Sequence, residues 1–527
     1  MIPVLGSRAM RAADAAAIRG GIPSDELMEN AASALARAVR RGPCEGRVTV
    51  VCGPGQNGGD GLAAARLLAL AGHPVLVFTL AAPGTYRGDA ARNLERAAAI
   101  GLAATPLTAR GAFRELARAL AESDRVIDAL FGTGLSRPLA DAARRAVAAI
   151  NASDRHVVAA DLPSGLYADR GDAPAAAVRA RETVAFGAPK PCHVLPPATD
   201  LCGSVEVADI GIPRAVLEAK RSRLSWTEDS DVRALLPPRP IDSNKGNFGR
   251  LAIVAGSRGK AGAALLAARG ALRAGAGLVT VFCAESLADA LWTALPEVMT
   301  RPLPEEDGAI SAAASTVLER ELRGFDAVVA GPGLSTSAGA VAALEAVVRA
   351  RIPLVADADA LNAFAGRPSR FRRRAPTILT PHPGEAGRLL GRSAADVQAD
   401  RLRAARGLAQ RARSVVLLKG ARTLVAEPDG TVAVNPTGTP LLATAGSGDV
   451  LSGILGALLA GGLAPRDAAV AGAWLHGAAA QSLTPRLGDA GLLSHEVADA
   501  VPGVRRALRA EAEAETEAEA ESEGDGE

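Results

Sequence analysis

Aromatic residues make up only 3% of this 527-residue chain, with three Trp, two Tyr and nine Phe. Its cores must therefore be filled by aliphatic side chains, and the 48% of hydrophobic residues supplies them in quantity. Cysteine is scarce as well. The five residues Cys44, Cys52, Cys192, Cys202 and Cys283 include no CxxC pair. An odd count with such spacing argues against a disulfide framework, and reduced, buried thiols are expected. No apolar run reaches membrane-spanning length free of charges or glycines. The N-terminus lacks the charged-then-apolar order of a secretory signal, because Asp14 and Arg19 interrupt its Ala-rich run. The net charge of +2 hides an imbalance: residues 511–527 carry nine acids and no base, so the remainder carries +11. Spread over so long a chain, that surplus makes no basic stripe, and nucleic acid is not an expected partner. These absences leave a soluble cytoplasmic enzyme of two to four domains as the class.

The first half alternates strand and helix patterns. Residues 7–19 and 24–41 read as helices, and 47–52 is a β-branched run that feeds a helix through residue 70. Further strands are predicted at 74–80, 125–130 and 156–161, with helices near 90–100 and 140–150. This rhythm implies a parallel sheet covered by helices. Polar stretches follow the strands: Gly53-Pro54-Gly55-Gln56-Asn57-Gly58-Gly59-Asp60-Gly61, then Gly132-Thr133-Gly134-Leu135-Ser136-Arg137-Pro138 after Asp128, then Asp161-Leu162-Pro163-Ser164-Gly165. In a doubly wound sheet such loops converge beyond the carboxyl ends of the strands, where ligands bind. The first is not the GxGxxG dinucleotide fingerprint. Asn57, Asp128 and Ser164 are oxygen donors with a single carboxylate among them, which suits a hard monovalent cation. Turn capping by the same residue types is the competing reading.

Residues 218–231 are polar and without period, and a linker is placed within them. The second half repeats the alternation, with strands at 250–255, 278–282, 325–330, 352–356, 377–380, 415–419 and 423–426. A Gly-rich segment from Gly256 to Ala264 opens a helix that ends at residue 274. His382 stands between two prolines at a strand end, which favours an active-site position over a core one, and no Cys or His nearby completes a zinc site. Thr444-Ala445-Gly446-Ser447-Gly448-Asp449 leads into an amphipathic run at 450–459. A glycine loop feeding a helix N-terminus offers unpaired N–H groups to a phosphoryl or oxyanion charge. An acid there is a poor phosphate ligand but can take a proton from an attacking hydroxyl. A plain glycine turn followed by an Asp in the first helical turn is the alternative. The segment after residue 510 alternates Glu with Ala, and is expected to be disordered and solvating.

Taken together, GPGQNGGDG, DALFGTGL, DLPSG and Phe186-Gly187-Ala188-Pro189-Lys190 resemble the NAD(P)H-hydrate epimerase domain over roughly residues 7–217. Gln56 departs from the family's usual Asn. Likewise KGNFG, GSRGKAGAA, AGPGL, DADALN, LTPHPGE, LKGART and ATAGSGDVLSG resemble the ADP- or ATP-dependent NAD(P)H-hydrate dehydratase branch of the ribokinase-like superfamily, over about 226–507. There Asn244 replaces an expected His. The whole resembles the bifunctional NAD(P)H-hydrate repair family.

That resemblance implies an α/β protein: an N-terminal Rossmann-like doubly wound sheet (1–217), a linker (218–225), a C-terminal ribokinase-like α/β sandwich (226–507) and an acidic disordered tail (508–527). It implies epimerisation of hydrated NADH and NADPH, and nucleotide-dependent dehydration of the S hydrate with ADP preferred over ATP. The resemblance assigns a potassium ion to Asn57, Asp128 and Ser164. It assigns the hydrate to Gln56, Asn57, Gly58, Gly59, Asp60, Gly132–Pro138 and Asp161 in the first domain, with Asp161 in proton transfer and Lys190 positioning substrate. In the second domain Ala263, Gly333, His382 and Asp449 would hold the hydrate, with Asp449 as general base. Lys419, Gly420, Ala421, Arg422, Thr423 and Gly448 would hold ADP or ATP, with magnesium on the phosphates. Small molecules are the expected partners, with no membrane contact and a homo-oligomeric state. The competing functions are a small-molecule kinase of the same fold, which would leave a stable phosphorylated product, and a nucleotide sensor without turnover.

Overall fold

A computed structural model describes the backbone of residues 1–41, 46–220 and 222–524, and side chains as far as residue 510. The chain divides into two compact units, one of Ile2–Ser225 and one from Trp226 onward that includes Met1. The stretch 218–225 contains the end of a helix, Arg214–Glu218, and the start of a strand, Leu224–Trp226.

In the first unit the β-branched runs form seven parallel strands. Their order across the sheet is Ala104–Pro106, Val75–Thr79, Arg47–Cys52, Ser123–Ala129, His156–Ala160, Glu182–Phe186 and Ser204–Ala208. The chain adds its first strands on one side of Arg47–Cys52 and then returns to its other side, where Val51 lies opposite Asp128. The crevice beyond these two strands is the point where strand order reverses, which is where such sheets bind ligands. A helix, Gln56–Leu70, leaves this point. It begins earlier than the sequence suggests, so Asn57 to Asp60 form its first turn and not a loop. Glycine permits this: a Cβ at Gly58 would overlap the Gly53 carbonyl, and one at Gly61 would overlap Ala129 Cβ.

The second unit repeats the plan. Met299–Leu303, Leu278–Ala284, Arg250–Val254, Ala327–Ala330, Leu354–Ala356, Thr377–Leu379 and Val415–Leu418 are parallel neighbours in that order. Leu424–Ala426 and Val432–Val434 continue the sheet antiparallel. Strand order reverses at Arg250–Val254, so the loops after it and after Ala327–Ala330 face each other, with Gly256 N–H donating to Pro332 O at 2.9 Å.

The helix Ser447–Ala460 is buried at every position from Val450 to Ala460. The expected amphipathic stripe is therefore corrected: this helix is apolar all round because it is covered on all sides. A Cβ at Gly453 would overlap Ala267 O, one at Gly270 would overlap Val450 O, and one at Gly456 would overlap a Val329 methyl. Gly270 belongs to the helix Ala261–Ala274. The two helices thus meet backbone to backbone. The helix that starts at Ser494 runs to Gly524, because Glu and Ala are strong helix formers even where no apolar face exists. Residues 525–527 lie outside the described residues. Cys52, Cys192, Cys202 and Cys283 are buried free thiols, as expected, and Cys44 lies outside the described residues. Among the described residues no helix is long and apolar enough to cross a membrane.

This packing makes a prediction. Gly453→Ala forces the helix pair apart and destabilises the fold by about 1–3 kcal/mol, read from denaturant unfolding. Gly407→Ala, inside the helix Arg401–Ala412 with open space at its Cβ position, serves as control and is neutral or stabilising by up to about 1 kcal/mol. Equal losses in both variants would remove the close-approach argument.

Candidate active sites

In the first unit Asp161 follows the strand His156–Ala160 and adopts φ 63°, a left-handed conformation rare for a residue with a side chain. Its backbone N–H donates to Val184 O at 2.9 Å and its carboxylate accepts from Phe186 N–H at 3.2 Å. The same carboxylate is ion-paired with Lys190, whose Nζ also donates to Phe186 O at 2.8 Å. Lys190 is only 1% exposed, which excludes a surface lysine. Asp128 is fully buried and accepts from Ser164 N–H at 2.8 Å and from Ser164 Oγ at 2.7 Å. Burial outweighs these bonds and pushes its carboxyl up to about 6. Asn57 is buried, yet its side chain makes no hydrogen bond among the described residues. A Cβ at Gly132 would stand 2.9 Å from Asn57 Oδ1 and 3.3 Å from Asp161 Oδ2. Gly132 therefore lets Asn57 and Asp161 share one wall.

Asp60 is also buried. Desolvation, reinforced by Asp161, Asp14 and Asp89, raises its carboxyl well above the usual range, with Lys190 opposing. Burial likewise raises Asp14 to about 6, where Lys190 lowers and Asp161 raises it. Three carboxyls thus share one lysine. The sequence reading missed Asp14. Its signal was position: Met10, Asp14 and Ala17 share one face of the helix Ser7–Arg19, and both neighbours are buried. Gln56 is exposed at the helix start, whereas Gly58 and Gly59 are buried. Thr133 to Pro138 follow Gly132 along a half-exposed to exposed loop, and their side chains make no hydrogen bonds or ion pairs among the described residues.

In the second unit the helix Ser447–Ala460 points its N-terminus at a buried cluster. Gly446, at φ 89°, turns the chain into it. Lys419 Nζ lies 2.8 Å from Asp357 and 3.8 Å from Glu385. Burial opposes the Lys419 charge, but Asp357 and Glu385 together hold its ammonium above the ordinary range. Burial likewise works against the Asp357 carboxylate. Lys419 nonetheless holds it below the usual value, with a hydrogen bond from Ser452 Oγ at 2.7 Å. A Cβ at Gly448 would stand 3.3 Å from Lys419 Nζ, so the glycine leaves the ammonium open to the helix start. Asp449 is one residue further. Burial first, then Asp357, raises its carboxyl to about 7; Lys419 opposes, and Glu385 and Asp359 add. His476 is buried, and desolvation drops it to about 4. Its Nε2 lies 2.9 Å from Ser447 O, which can only accept, so that nitrogen carries the proton.

Across the switch point, a Cβ at Gly333 would stand 2.7 Å from Lys260 O and 3.0 Å from Ala263 Cβ, which brings Ala263 and Gly333 together. Lys260 Nζ reaches Asp359 at 3.5 Å. His382 caps the helix Pro383–Leu390: its Nδ1 accepts from Gly384 N–H at 3.0 Å. Its Nε2 lies 3.5 Å from Glu385, and burial with the nearby Lys419 lowers its pKa. The turn Lys419–Thr423 is held from beneath by buried Arg401, which donates to Ala421 O and, at 3.3 Å, to Lys419 O. Arg422, at φ 53°, turns to Pro436 O at 2.7 Å and lies over the Trp226 ring, and Thr423 Oγ donates to Gly420 O at 2.9 Å. The sequence reading missed Asp357, Glu385, Ser452 and Arg401 as site residues. The two acids were legible as charges at the ends of strands, in DADALN and PHPGE.

Comparison with known proteins now bears on these two sites. A family profile described as YjeF-related protein N-terminus matches residues 24–192, and one described as NAD(P)H-hydrate dehydratase matches residues 251–503. The bifunctional NAD(P)H-hydrate repair enzyme of Moorella thermoacetica is 42% identical over 497 residues, covering 93% of this chain and 94% of that protein. The chain belongs to the bifunctional NAD(P)H-hydrate repair enzyme family. The repair enzyme of Thermofilum pendens is 41% identical over 94% of both chains. Among solved structures, the ADP/ATP-dependent NAD(P)H-hydrate dehydratase of Bacillus subtilis, crystallised with ATP and Mg2+, is 33% identical. It covers 54% of this chain and 98% of its own, with a TM-score of 0.48. In this repair enzyme the first site lies within the YjeF-type half and the second within the dehydratase half.

The buried charges give a stability prediction. Lys190→Met leaves Asp161 buried without its partner, which costs about 3–5 kcal/mol. Without the lysine, carboxyls held neutral in the folded state ionise only in the unfolded one, so the loss grows as pH rises above about 4. Denaturant unfolding across pH measures it; a loss that shrinks with rising pH would contradict the pairing.

Proposed function

We propose that the first unit interconverts the R and S hydrates of NADH and NADPH, and that the second dehydrates the S hydrate with ADP in preference to ATP. The observation that carries the second half is Asp449: a buried carboxyl raised to about 7, one residue from the open flank of Lys419, at a helix N-terminus. Hydroxide is a poor leaving group, so the ring hydroxyl is first made into a phosphate ester. Asp449 takes the hydroxyl proton as the oxygen attacks the terminal phosphoryl group, and AMP departs from ADP. The N–H groups of Gly446 to Gly448 and the Lys419 ammonium face the charge that builds on the phosphoryl oxygens. Phosphate then leaves together with a proton from the adjoining ring carbon, which restores the double bond. Ala263, Gly333 and His382 line the place of the hydrate, and Lys419, Gly420, Ala421, Arg422, Thr423 and Gly448 that of the nucleotide. Among the described residues no cluster of three or more Asp, Glu, His or Cys could cage a metal. Magnesium would ride on the nucleotide's phosphates, as the family resemblance implies.

In the first unit we assign the hydrate to Gln56–Asp60, Gly132–Pro138 and Asp161, with Asp161 moving a proton and Lys190 holding its charge. Potassium would sit among Asn57, Asp128 and Ser164. Asn57 Oδ1 accepts no hydrogen bond among the described residues, and with the single serine-bonded Asp128 carboxylate it makes an oxygen donor set that fits a hard monovalent cation. Such an ion supplies positive charge next to the bound hydrate. A cytoplasmic homo-oligomer completes the reading, on the strength of family resemblance.

Three outcomes test this. Asp449→Asn retains nucleotide binding and loses dehydration by about 10²–10⁴-fold, followed as recovery of reduced-nicotinamide absorbance from the S hydrate. Because the base works when deprotonated, kcat/KM for dehydration falls as pH drops below about 7, the value of the Asp449 carboxyl; a flat profile there would displace Asp449. Asp128→Asn abolishes potassium stimulation of hydrate epimerisation while dehydration is unchanged. A stable phosphorylated product in place of recovered NADPH would favour the kinase reading instead.

A further inference from the structure

The amino-terminal ends of the first unit's strands lie opposite the loops described above. There, beside His156–Ala160 and Glu182–Phe186, a cavity of about 440 Å³ is lined by Ile150, Asn151, Asp154, Arg155, Arg179 and Arg181. We propose that this cavity binds the phosphate groups of a small molecule, at a site separate from the hydrate site of the same unit.

Charge is the first argument. Three guanidinium groups face one carboxylate, Asp154. Elsewhere in this unit Arg41, Arg47, Arg66, Arg92, Arg96 and Arg144 all pair with acids. The Arg179 and Arg181 guanidinium groups have no hydrogen bond or ion pair among the described residues, and Arg155 is held by Ala121 O. Glu182, next in sequence to Arg181, is already taken by Arg41, with His156 at 3.9 Å. The surplus reaches its neighbours: burial, then Arg125 and Arg181, lowers the pKa of His156.

Rigidity is the second. Asn151 Oδ1 accepts from Arg179 N–H at 2.9 Å while its Nδ2 donates to Ala177 O at 2.9 Å. Ala180 N–H donates to Leu201 O and Arg181 N–H to Val157 O, both at 2.9 Å. Gly203, at φ 62°, packs so close that a Cβ would overlap Arg181 O. The backbone that carries both arginines is thus pinned from three sides, so little backbone order must be gained on binding. Guanidinium forks match the spread oxygens of a phosphate, and a volume in the range of roughly 300–1,000 Å³ suits a ligand of nucleotide size or smaller. Nucleic acid would need a track of charge, and here the charge is gathered around one cavity.

The test titrates the full chain calorimetrically with inorganic phosphate, pyrophosphate and AMP, beside the double variant Arg179→Gln/Arg181→Gln. Neither residue belongs to the machinery proposed above, so epimerisation and dehydration rates of the double variant stay at the wild-type values and certify the fold. The wild-type chain gains a binding event that the double variant weakens by about tenfold or more. His156, assigned among the six histidines by His156→Gln, reports locally by NMR: bound anion screens Arg181 and moves its titration to higher pH, and the variant abolishes that move. Tighter AMP than pyrophosphate makes the ligand a nucleotide, and the reverse makes it a free phosphate; both support the site. Identical isotherms for the two proteins, or a His156 titration indifferent to pyrophosphate, overturns it.

Discussion

Backbone touching backbone at glycine is the constraint on which this molecule depends. Gly270 and Gly453 remove the side chains between two helices, so the helix Ser447–Ala460 sinks until it is covered by the sheet, by Ala261–Ala274 and by its other neighbours. Only from that depth can its N-terminus stand beside Lys419 and Asp357. The first unit uses the same device at Gly58 and Gly61, which seat the helix Gln56–Leu70 against its sheet and carry Asn57 and Asp60 into the crevice. A chain poor in aromatics has few large side chains to span gaps between layers. Alanine and glycine shorten the gap instead, and polar groups at helix starts are drawn inward with it.

What is drawn inward must be compensated. Each unit answers several buried carboxyls with one lysine: Lys190 against Asp161, Asp60 and Asp14, and Lys419 against Asp357, Glu385 and Asp449. One cation cannot satisfy three anions. Lys419 holds Asp357, in direct contact, below the usual carboxylate value, while Asp60, Asp14, Glu385 and Asp449 are pushed upward toward neutrality. That division creates a carboxylate and a proton-exchanging acid within one cluster, which is what proton transfer near neutral pH requires. Stability lost to crowded charge is thereby tied to chemistry, because the same crowding sets the Asp449 carboxyl at about 7.

The alternation of β-branched runs with helical segments made both parallel sheets legible, since that pattern is local and repeats. Strand ends were legible to within a few residues, and with them most of the polar loops that meet at each switch point. Helix character was misread at two places. The run after Asp449 looked one-sided, but a helix covered on every side has no polar face to show. The start of the helix Gln56–Leu70 looked like a loop because its glycines are poor helix formers, but close packing on the sheet requires them there.

The sequence by itself determined the two α/β halves, the order of their glycine loops and the resemblance to a repair family, because these reside in short contiguous motifs. Tertiary structure alone decided which charges meet. Asp14 and Lys190 are 176 positions apart, and Lys419 and Asp357 are 62 apart. Nothing local marks any of them as partners. Their pairing, and the pKa values that follow, depend on burial and on distance through space, which the fold sets after the chain has closed.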